Sequence, residues 1–284
     1  MPRTQPPLPA ACTPLLNEDL ARLRTARPRL WTNPAERCLT CLHETTGGER
    51  TYQWWTDPQR SGTDTYECRC RDQWLMHCWL LDAGIGLAYQ RLSWDDVTAV
   101  PGRVQDQVMT YAVQGQRNVA TGRNLVLWSQ NPGTGKTLLL TLLIKTLMAS
   151  QGVDAHFAQF QDIIDLHTGG WRKEDERAHF TRRVRNVGIL GIDDIGKEHA
   201  GRSEIVDPMV DQIIRARVAD SLPVAITTNK TPDELRAVYG GGAMSLLTEQ
   251  ADFIEVTGAD FRPQRNIDSQ REAALGLSRP ITVV

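Results

Sequence analysis

The sequence of 284 residues has almost no excess of charge of either sign, since 32 basic residues are set against 34 acidic ones and the net charge is −2. Its overall field therefore attracts neither nucleic acid nor an anionic membrane, and any surface that binds nucleic acid must be a local patch. Hydrophobic residues at 40% and charged residues at 23% exclude a disordered or collagen-like chain. The length predicts about two domains.

Long hydrophobic runs are also missing. The longest apolar stretch begins at Leu138 and is interrupted by Thr141 and Lys145, well short of the ~20 residues that cross a bilayer. The first residues, MPRTQPPLPAACTP, contain five prolines and no apolar signal core. The sequence therefore predicts a cytoplasmic protein with no membrane association.

Because an export signal is lacking, the six cysteines favour metal binding over disulfides. Two close pairs from separate loops can complete a tetrahedral Zn²⁺ site, and the predicted ligands are Cys38, Cys41, Cys68 and Cys70. Alternatives for the fourth ligand are His43, His77 and Cys78. Two other interpretations stay open, namely an iron–sulfur cluster held by four thiolates and cysteines that are simply buried and reduced.

The region around these cysteines predicts a small first domain. It holds six of the eight tryptophans, and large aromatic side chains together with a metal can stabilise a domain with a limited core. Apolar residues at helical spacing predict a helix over 71–82 that ends at the glycines of 84–86. The boundary to a second domain is expected near Pro101.

A glycine-rich loop marks the second domain. NLVL at 124–127 predicts a buried strand, WSQNPGTGKT at 128–137 follows, and the apolar run after it predicts a buried helix that stops at Gly152. A strand, a glycine loop and a helix in this order are typical of a P-loop that binds ATP. The residues expected to contact the nucleotide are Pro132, Gly133, Thr134, Gly135, Lys136, Thr137 and Leu138. Lys136 would reach the β- and γ-phosphates, and the Thr137 hydroxyl would bind Mg²⁺.

One position departs from the strict P-loop pattern G-x-x-x-x-G-K-[ST]. Its first glycine falls on Gln130, while the inner glycines and GKT are intact. The part of the loop that contacts phosphate is thus kept, and the turn that leaves the strand is altered.

Polar residues follow two further apolar strands. VGILGIDDIGKE at 187–198 predicts a strand that ends in Asp193 and Asp194, which we assign to Mg²⁺ and to the attacking water. PVAITTN at 223–229 predicts another strand, and Asn229 after it would lie between these carboxylates and the γ-phosphate. Alternating strands and helices predict an α/β domain with a parallel sheet flanked by helices.

Four blocks of sequence resemble the AAA+ ATPases of the DnaC/DnaI helicase-loader and IstB transposition-helper group, over residues 104–262. The blocks are NPGTGKTLLL, ILGIDDIGKE, VDQIIRARVADSLPVAITTNKTPDEL and VYGGGAMSLLTEQADFIEVTGADFR. The cysteine-bearing N-terminal segment resembles that of the DnaI-type loaders and their bacteriophage relatives. The resemblance implies an N-terminal module that contacts the hexameric replicative DNA helicase, self-association through the AAA+ domain, and a bacteriophage source.

The resemblance also concerns arginines. Arg262 in GADFR matches a late arginine of the group that contacts the γ-phosphate in cis. Where the group has serine-arginine-leucine, whose arginine acts in trans, this chain has Leu246. The resemblance therefore implies either weak hydrolysis, with nucleotide acting as a binding switch, or replacement of the lost arginine by Arg217 or Arg236.

Loaders of this group bind single-stranded DNA. The segment 170–185, GWRKEDERAHFTRRVR, has a local charge of +3 if its six basic and three acidic residues are counted. Its arginines could pair with phosphates, and Trp171 or Phe180 could stack on bases. A solvated helix with internal ion pairs is the alternative.

The expected organisation is a proline-rich tail (1–30), a zinc-binding helicase-interaction domain (31–100), an AAA+ ATPase domain (101–262) and a C-terminal tail (263–284). The expected function is ATP-dependent loading of the replicative helicase onto single-stranded DNA. The alternatives are a transposition helper that acts on duplex DNA, and a nucleotide-gated scaffold with little hydrolysis.

Overall fold

The computed structural model describes residues 9–12, 21–23, 25, 54–56, 65–67, 70–169, 174–196, 203–239, 241–274 and 280–282. The chain divides into two compact units between Leu92 and Ser93, and residues 280–282 belong to the first unit. The sequence placed this boundary near Pro101. The segment in between is fixed to the second unit, because the Trp94 indole donates to Thr146 Oγ1 at 3.0 Å.

Between residues 54 and 90 of the first unit, the described part of the chain forms a hairpin and then helices. Strands β1 (Trp54–Thr56) and β2 (Thr65–Glu67) pair antiparallel, and helices α1 (Cys70–Asp82) and α2 (Leu87–Gln90) follow. The predicted helix over 71–82 is confirmed by α1. Gly84 ends it with a φ of +84°, which glycine adopts at no steric cost.

The proline-rich segment contributes to this unit at the positions that the structure describes there. Cys12 and Leu23 are buried, and Arg22 forms an ion pair with Asp82 at 2.8 Å. These contacts give part of residues 1–30 a packing role that their composition did not predict.

The second unit is an α/β domain. Its helices are α3 (Gly102–Val113), α4 (Gly115–Ala120), α5 (Lys136–Gln151), α6 (Phe160–Gly169), α7 (Glu174–Phe180), α8 (Ser203–Ala219), α9 (Pro232–Tyr239), α10 (Gly241–Glu249) and α11 (Arg262–Ala274). Its strands are β3 (Asn124–Trp128), β4 (Ala155–Gln159), β5 (Ile189–Ile195), β6 (Val224–Thr228) and β7 (Ala251–Glu255). A π-helical turn, Thr181–Arg185, follows α7.

All five strands are parallel and lie in the order β4-β5-β6-β3-β7. This confirms the predicted parallel sheet flanked by helices. The inner strands β5, β6 and β3 are almost entirely buried because both faces of such a sheet are covered, and polar residues lie toward the carboxyl ends of β5 and β6. On one face α5 packs against the sheet, with α3 outside it. On the other face a hydrophobic core joins the sheet to α6, α8, α9 and α10.

Residues 262–274 form the exposed helix α11, which runs from the last residue of the expected AAA+ domain into the stretch expected to be a tail. Among the helices that the structure describes, none is long and apolar enough to cross a membrane.

Candidate nucleotide-binding site

The loop between β3 and α5 carries two glycines in the left-handed backbone region. Gly133 has a φ of +78° and Gly135 a φ of +97°, conformations that favour glycine. α5 begins at Lys136 immediately after them. The unpaired amides of the first turn of a helix favour an anion, so this loop and helix end have the features of a phosphate-binding site.

Lys136 lies inside this loop. Its side chain is buried, and its Nζ donates to the carbonyl oxygens of Ser129 and Asn131 at 3.3 and 3.0 Å. The ammonium group is therefore held among polar atoms of the loop. At the two ends of the predicted contact set, Pro132 is exposed and the side chain of Leu138 is buried in the core, which leaves Leu138 only its backbone for a ligand.

The substitution of the first P-loop glycine causes no backbone strain. Gln130 is exposed, and it is not among the described residues with a positive φ. The turn is held by Ser129 instead, whose N–H donates to the Thr228 carbonyl at 3.2 Å and whose Oγ accepts from the Asn131 amide at 3.3 Å. A side chain at position 130 is thus compatible with the loop.

Oxygen ligands suited to Mg²⁺ meet at the start of α5. Thr137 Oγ1 donates to Asp193 Oδ2 at 3.2 Å, and the Asp193 side chain is buried. Thr227 Oγ1 donates to the other carboxylate oxygen, Oδ1, at 2.6 Å. A hydroxyl and one carboxylate, completed by water and phosphate oxygens, are a donor set typical of Mg²⁺.

The acidic strand β5 is not the direct neighbour of the P-loop strand β3 in the sheet. β6 lies between β3 and β5 and pairs with both. Asp193 nevertheless reaches Thr137, because both lie at the carboxyl edge of the parallel sheet. Thr227, on the strand in between, is a site residue that the sequence interpretation missed. The sequence signal that could have identified it is the pair of threonines, Thr227 and Thr228, that ends the apolar strand VAITT.

Asp194 is held in an unusual conformation. Its φ is +61°, its N–H donates to Thr227 Oγ1 at 2.9 Å, and the β5–β6 register shifts between Ile192 and Ile195. Left-handed backbone is costly for a residue with a Cβ, and aspartate tolerates it better than most. The irregularity turns Asp194 differently from Asp193. Asn229 is half-buried and follows β6 at the same edge of the sheet.

A segment after β7 covers the glycine loop. The Phe261 amide donates to the Gly133 carbonyl at 3.3 Å, and a Cβ on Gly135 would lie 3.4 Å from the Phe261 ring. A Cβ on Gly133 would overlap the carboxylate of Asp260, whose Oδ1 accepts from the Arg262 amide at 3.0 Å. Arg262 itself is exposed. The sequence interpretation missed Asp260, since only the tertiary fold brings it to the loop.

The structure corrects the assignment of Arg217. This residue is fully buried, and its guanidinium donates to four backbone carbonyls, those of Val184, Arg185, Val187 and Pro223, at 2.8–3.1 Å. It therefore ties together two loops and cannot face a subunit boundary. Leu246 packs half-buried against the hydrophobic core. Arg236 is exposed on α9 and pairs with Asp233 at 3.3 Å.

The basic segment is less open to nucleic acid than its sequence suggested. Arg183 and Phe180 are buried, and the Phe180 ring contacts His167, so Phe180 cannot stack on a base. Arg182 is exposed. Trp171 lies outside the described residues.

The predicted zinc ligands fall mostly outside the described part of the chain. Cys38, Cys41, Cys68 and the alternative His43 lie there, and Cys70 begins α1. Among the described residues no group of three or more histidine, cysteine or acidic side chains could hold a metal ion.

Two of the alternative fourth ligands, Cys78 and His77, are buried in the first unit. Burial, and then the nearby Cys12, raise the pKa of the Cys78 thiol to about 12, which disfavours the thiolate that binds metal. His77 is buried and forms a hydrogen bond to Gln90 at 2.7 Å.

Solved structures that this chain is similar to include the DnaC helicase loader, DnaI and a domain of DnaA. The DnaC helicase loader is 22% identical with a TM-score of 0.46, and the match covers 53% of this chain and 86% of that one. DnaI is 22% identical with a TM-score of 0.44, covering 55% and 83%. Domain III of the Thermotoga maritima replication initiation protein DnaA is 12% identical with a TM-score of 0.51, covering 68% and 77%. No protein-family model matches the sequence, and no curated protein matches it.

The likeness to the DnaA domain, together with the sheet order and the glycine loop, settles the fold. The second unit has the fold of that DnaA domain. DnaC and DnaI, after which the group that the motifs resemble is named, are among the structural neighbours of this chain.

Proposed function

We propose that the AAA+ domain binds ATP with Mg²⁺ on the loop of residues 132–138. The observation that supports this most directly is the hydrogen bond of 3.2 Å between Thr137 and Asp193, since it joins the first turn of α5 to the tip of β5. Bound Mg²⁺ would neutralise negative charge on the β- and γ-phosphate oxygens. Lys136 would exchange its contacts with loop carbonyls for phosphate oxygens, which are stronger partners for an ammonium group.

Hydrolysis needs a group that orients or deprotonates water, and Asp194 fits this task. Its backbone N–H is held by Thr227, and it follows Asp193 directly at the carboxyl edge of the sheet. Asn229 follows the neighbouring strand and would orient the γ-phosphate or the water. Arg262 would stabilise charge on the γ-phosphate, since Phe261 beside it already contacts the loop.

The biological role in this proposal is loading of the hexameric replicative helicase onto single-stranded DNA. The four motif blocks, in their order and spacing, support it, and the fold agrees. The N-terminal segment, residues 31–100 with a Zn²⁺ ion, would bind the helicase, and the AAA+ domain would self-associate when ATP is bound. Contact with DNA through residues 170–185 would involve the exposed Arg182, whereas Arg183 and Phe180 are buried and Trp171 lies outside the described residues.

A loading assay tests this role. The replicative helicase is mixed with circular single-stranded DNA and ATP, and helicase retained on the circle is measured with and without the full-length chain. We expect helicase retention to rise with the wild type and to stay at background with Lys136→Ala. Arg117→Ala, which removes an exposed positive charge on α4, is the control and should behave as the wild type does. ATP-dependent binding to duplex DNA with no change in helicase retention would instead support the transposition helper.

A scaffold with little hydrolysis is the second candidate, and one observation favours it. Leu246 is packed against the core and Arg217 is fully buried, so neither supplies a trans arginine. Arg236 is the remaining candidate from the sequence. Steady-state ATPase, measured for the wild type, Arg236→Ala and Arg117→Ala, separates the two cases. If turnover is lost only in Arg236→Ala, Arg236 is the arginine that acts in trans. If the wild type binds ATP without hydrolysing it, the result supports the scaffold.

A further inference from the structure

The C-terminal segment of residues 280–282 lies in the first unit and is bound there through its backbone. The side-chain amide of Gln73 contacts both backbone groups of Ile281: Nε2 donates to the carbonyl at 3.1 Å, and Oε1 accepts from the N–H at 2.6 Å. The next amide, that of Thr282, donates to the Gln90 carbonyl at 3.0 Å. Three consecutive backbone groups of the segment are thus recognised.

The residues that receive this segment are held in place by their own contacts. The Gln90 side chain is buried, its Nε2 donates to the Ile85 carbonyl at 3.0 Å, and its Oε1 accepts from His77 Nδ1 at 2.7 Å. This fixes α2 and with it the Gln90 carbonyl that binds Thr282. A receptor that is rigid before binding loses little entropy when a ligand arrives.

The side chain of Ile281 supplies an apolar anchor, since only 4% of it is exposed. Recognition of the backbone of an extended segment, combined with burial of one side chain, is how proteins bind short peptides. The backbone contacts accept any sequence with free N–H groups, and the buried anchor provides selectivity.

We propose that α1 and α2 form a binding site for an extended peptide with a branched aliphatic anchor, and that the chain's own C-terminal segment occupies this site in cis. The segment is tethered to the site, so its effective concentration is on the order of millimolar. A free peptide with the same features binds only after the segment has left. The site therefore acts as a reversible latch for residues 280–282.

A labelled peptide with the sequence RPITVV, residues 279–284, tests the latch by fluorescence anisotropy on the full-length chain. Ile281→Asp in the chain releases the resident segment, and we expect it to bind the peptide at least about tenfold more tightly than the wild type does. The double variant Ile281→Asp with Gln73→Ala should not bind the peptide. The control is Ile281→Asp with Gln114→Ala, which changes an exposed glutamine directly after α3 and should bind as Ile281→Asp does. A peptide with aspartate in place of the isoleucine does not bind.

Equal affinity of the wild type and Ile281→Asp for the peptide, or binding that is insensitive to Gln73→Ala, overturns the proposal. If Ile281→Asp does not fold by circular dichroism, Thr282→Pro replaces it, because proline removes the N–H that donates to the Gln90 carbonyl and restricts the backbone beside it. Hydrogen exchange of the wild type gives an independent readout. The latch predicts that the Ile281 and Thr282 amides exchange slowly in the wild type and at least about tenfold faster in Gln73→Ala. If they exchange in the wild type at the rate of an unprotected peptide, the proposal is contradicted.

Discussion

Arg217 and Arg215 are two residues apart on α8 and differ completely in environment. Arg217 is fully buried among four carbonyls, and burial lowers its pKa to about 10. Arg215 is exposed and pairs with Asp211 at 2.6 Å. We expect Arg217→Met to lower the free energy of unfolding by about 3 kcal/mol or more, since it leaves buried carbonyls without donors.

Arg215→Met is the matched control, and we expect it to leave stability nearly unchanged because surface ion pairs contribute little. Urea unfolding followed by circular dichroism measures both variants. Similar stability of the two variants would show that Arg217 is not the structural residue described here.

Asp260 places a negative charge on the loop expected to receive the triphosphate. Its carboxylate lies against Gly133, and its Oδ1 also accepts from the Arg262 amide. Asp260→Asn removes the charge and keeps an oxygen that can accept this hydrogen bond. We expect the variant to bind Mg-ATP roughly three- to tenfold more tightly, because a repulsion across a few ångströms near the protein surface is lost.

Isothermal titration of Mg-ATP at two salt concentrations measures this effect, and the gain should shrink at high salt. Asp162→Asn, at an exposed position of α6, is the control for a change in net charge. Unchanged or weaker binding by Asp260→Asn would mean that the carboxylate does not oppose the nucleotide.

At the scale of elements, α5 is buried around its whole circumference, and Lys145 lies fully buried in its middle. Burial lowers the pKa of Lys145 to about 7, and Asp96 opposes part of this shift. Between this value and the ordinary pKa near 10.5, the unfolded chain binds a proton that the folded chain does not. Stability from this group therefore rises with pH across that window and is constant below it.

Lys145→Met should remove this contribution. We expect the variant to exceed the wild type in free energy of unfolding by about 1–3 kcal/mol more at pH 7 than at pH 9.5. Urea unfolding at the two pH values gives the difference. A difference that does not change with pH would show that Lys145 has an ordinary pKa in the folded protein.

The elements that were predictable from sequence depend on local pattern. The strand, glycine loop and helix around Lys136 follow from apolar runs and glycines, and the helix over 71–82 follows from spacing. The insertion of β6 between β3 and β5 was not predictable, because sheet order is set by long-range packing. The burial of Arg217 and the contact of Asp260 with Gly133 have the same cause.

For the molecule as a whole, we propose that the two units have different tasks and that the first unit holds a Zn²⁺ ion. We expect about one zinc per chain by elemental mass spectrometry. Cys38→Ser should lose the metal, since it removes a predicted ligand. Cys78→Ser should keep it, because the Cys78 thiol is buried and burial raises its pKa to about 12. Iron in place of zinc would identify a cluster, and loss of metal from Cys78→Ser alone would change the ligand set.

The central claim is that a triphosphate binds at the start of α5. Equilibrium binding of Mg-ATP to the full-length chain, measured for the wild type, Lys136→Ala and Arg117→Ala, tests it most directly. We expect the wild type and Arg117→Ala to bind alike and Lys136→Ala to lose at least about tenfold in affinity with its circular dichroism unchanged, since a charged hydrogen bond to phosphate is removed. Equal binding by all three proteins would contradict the account.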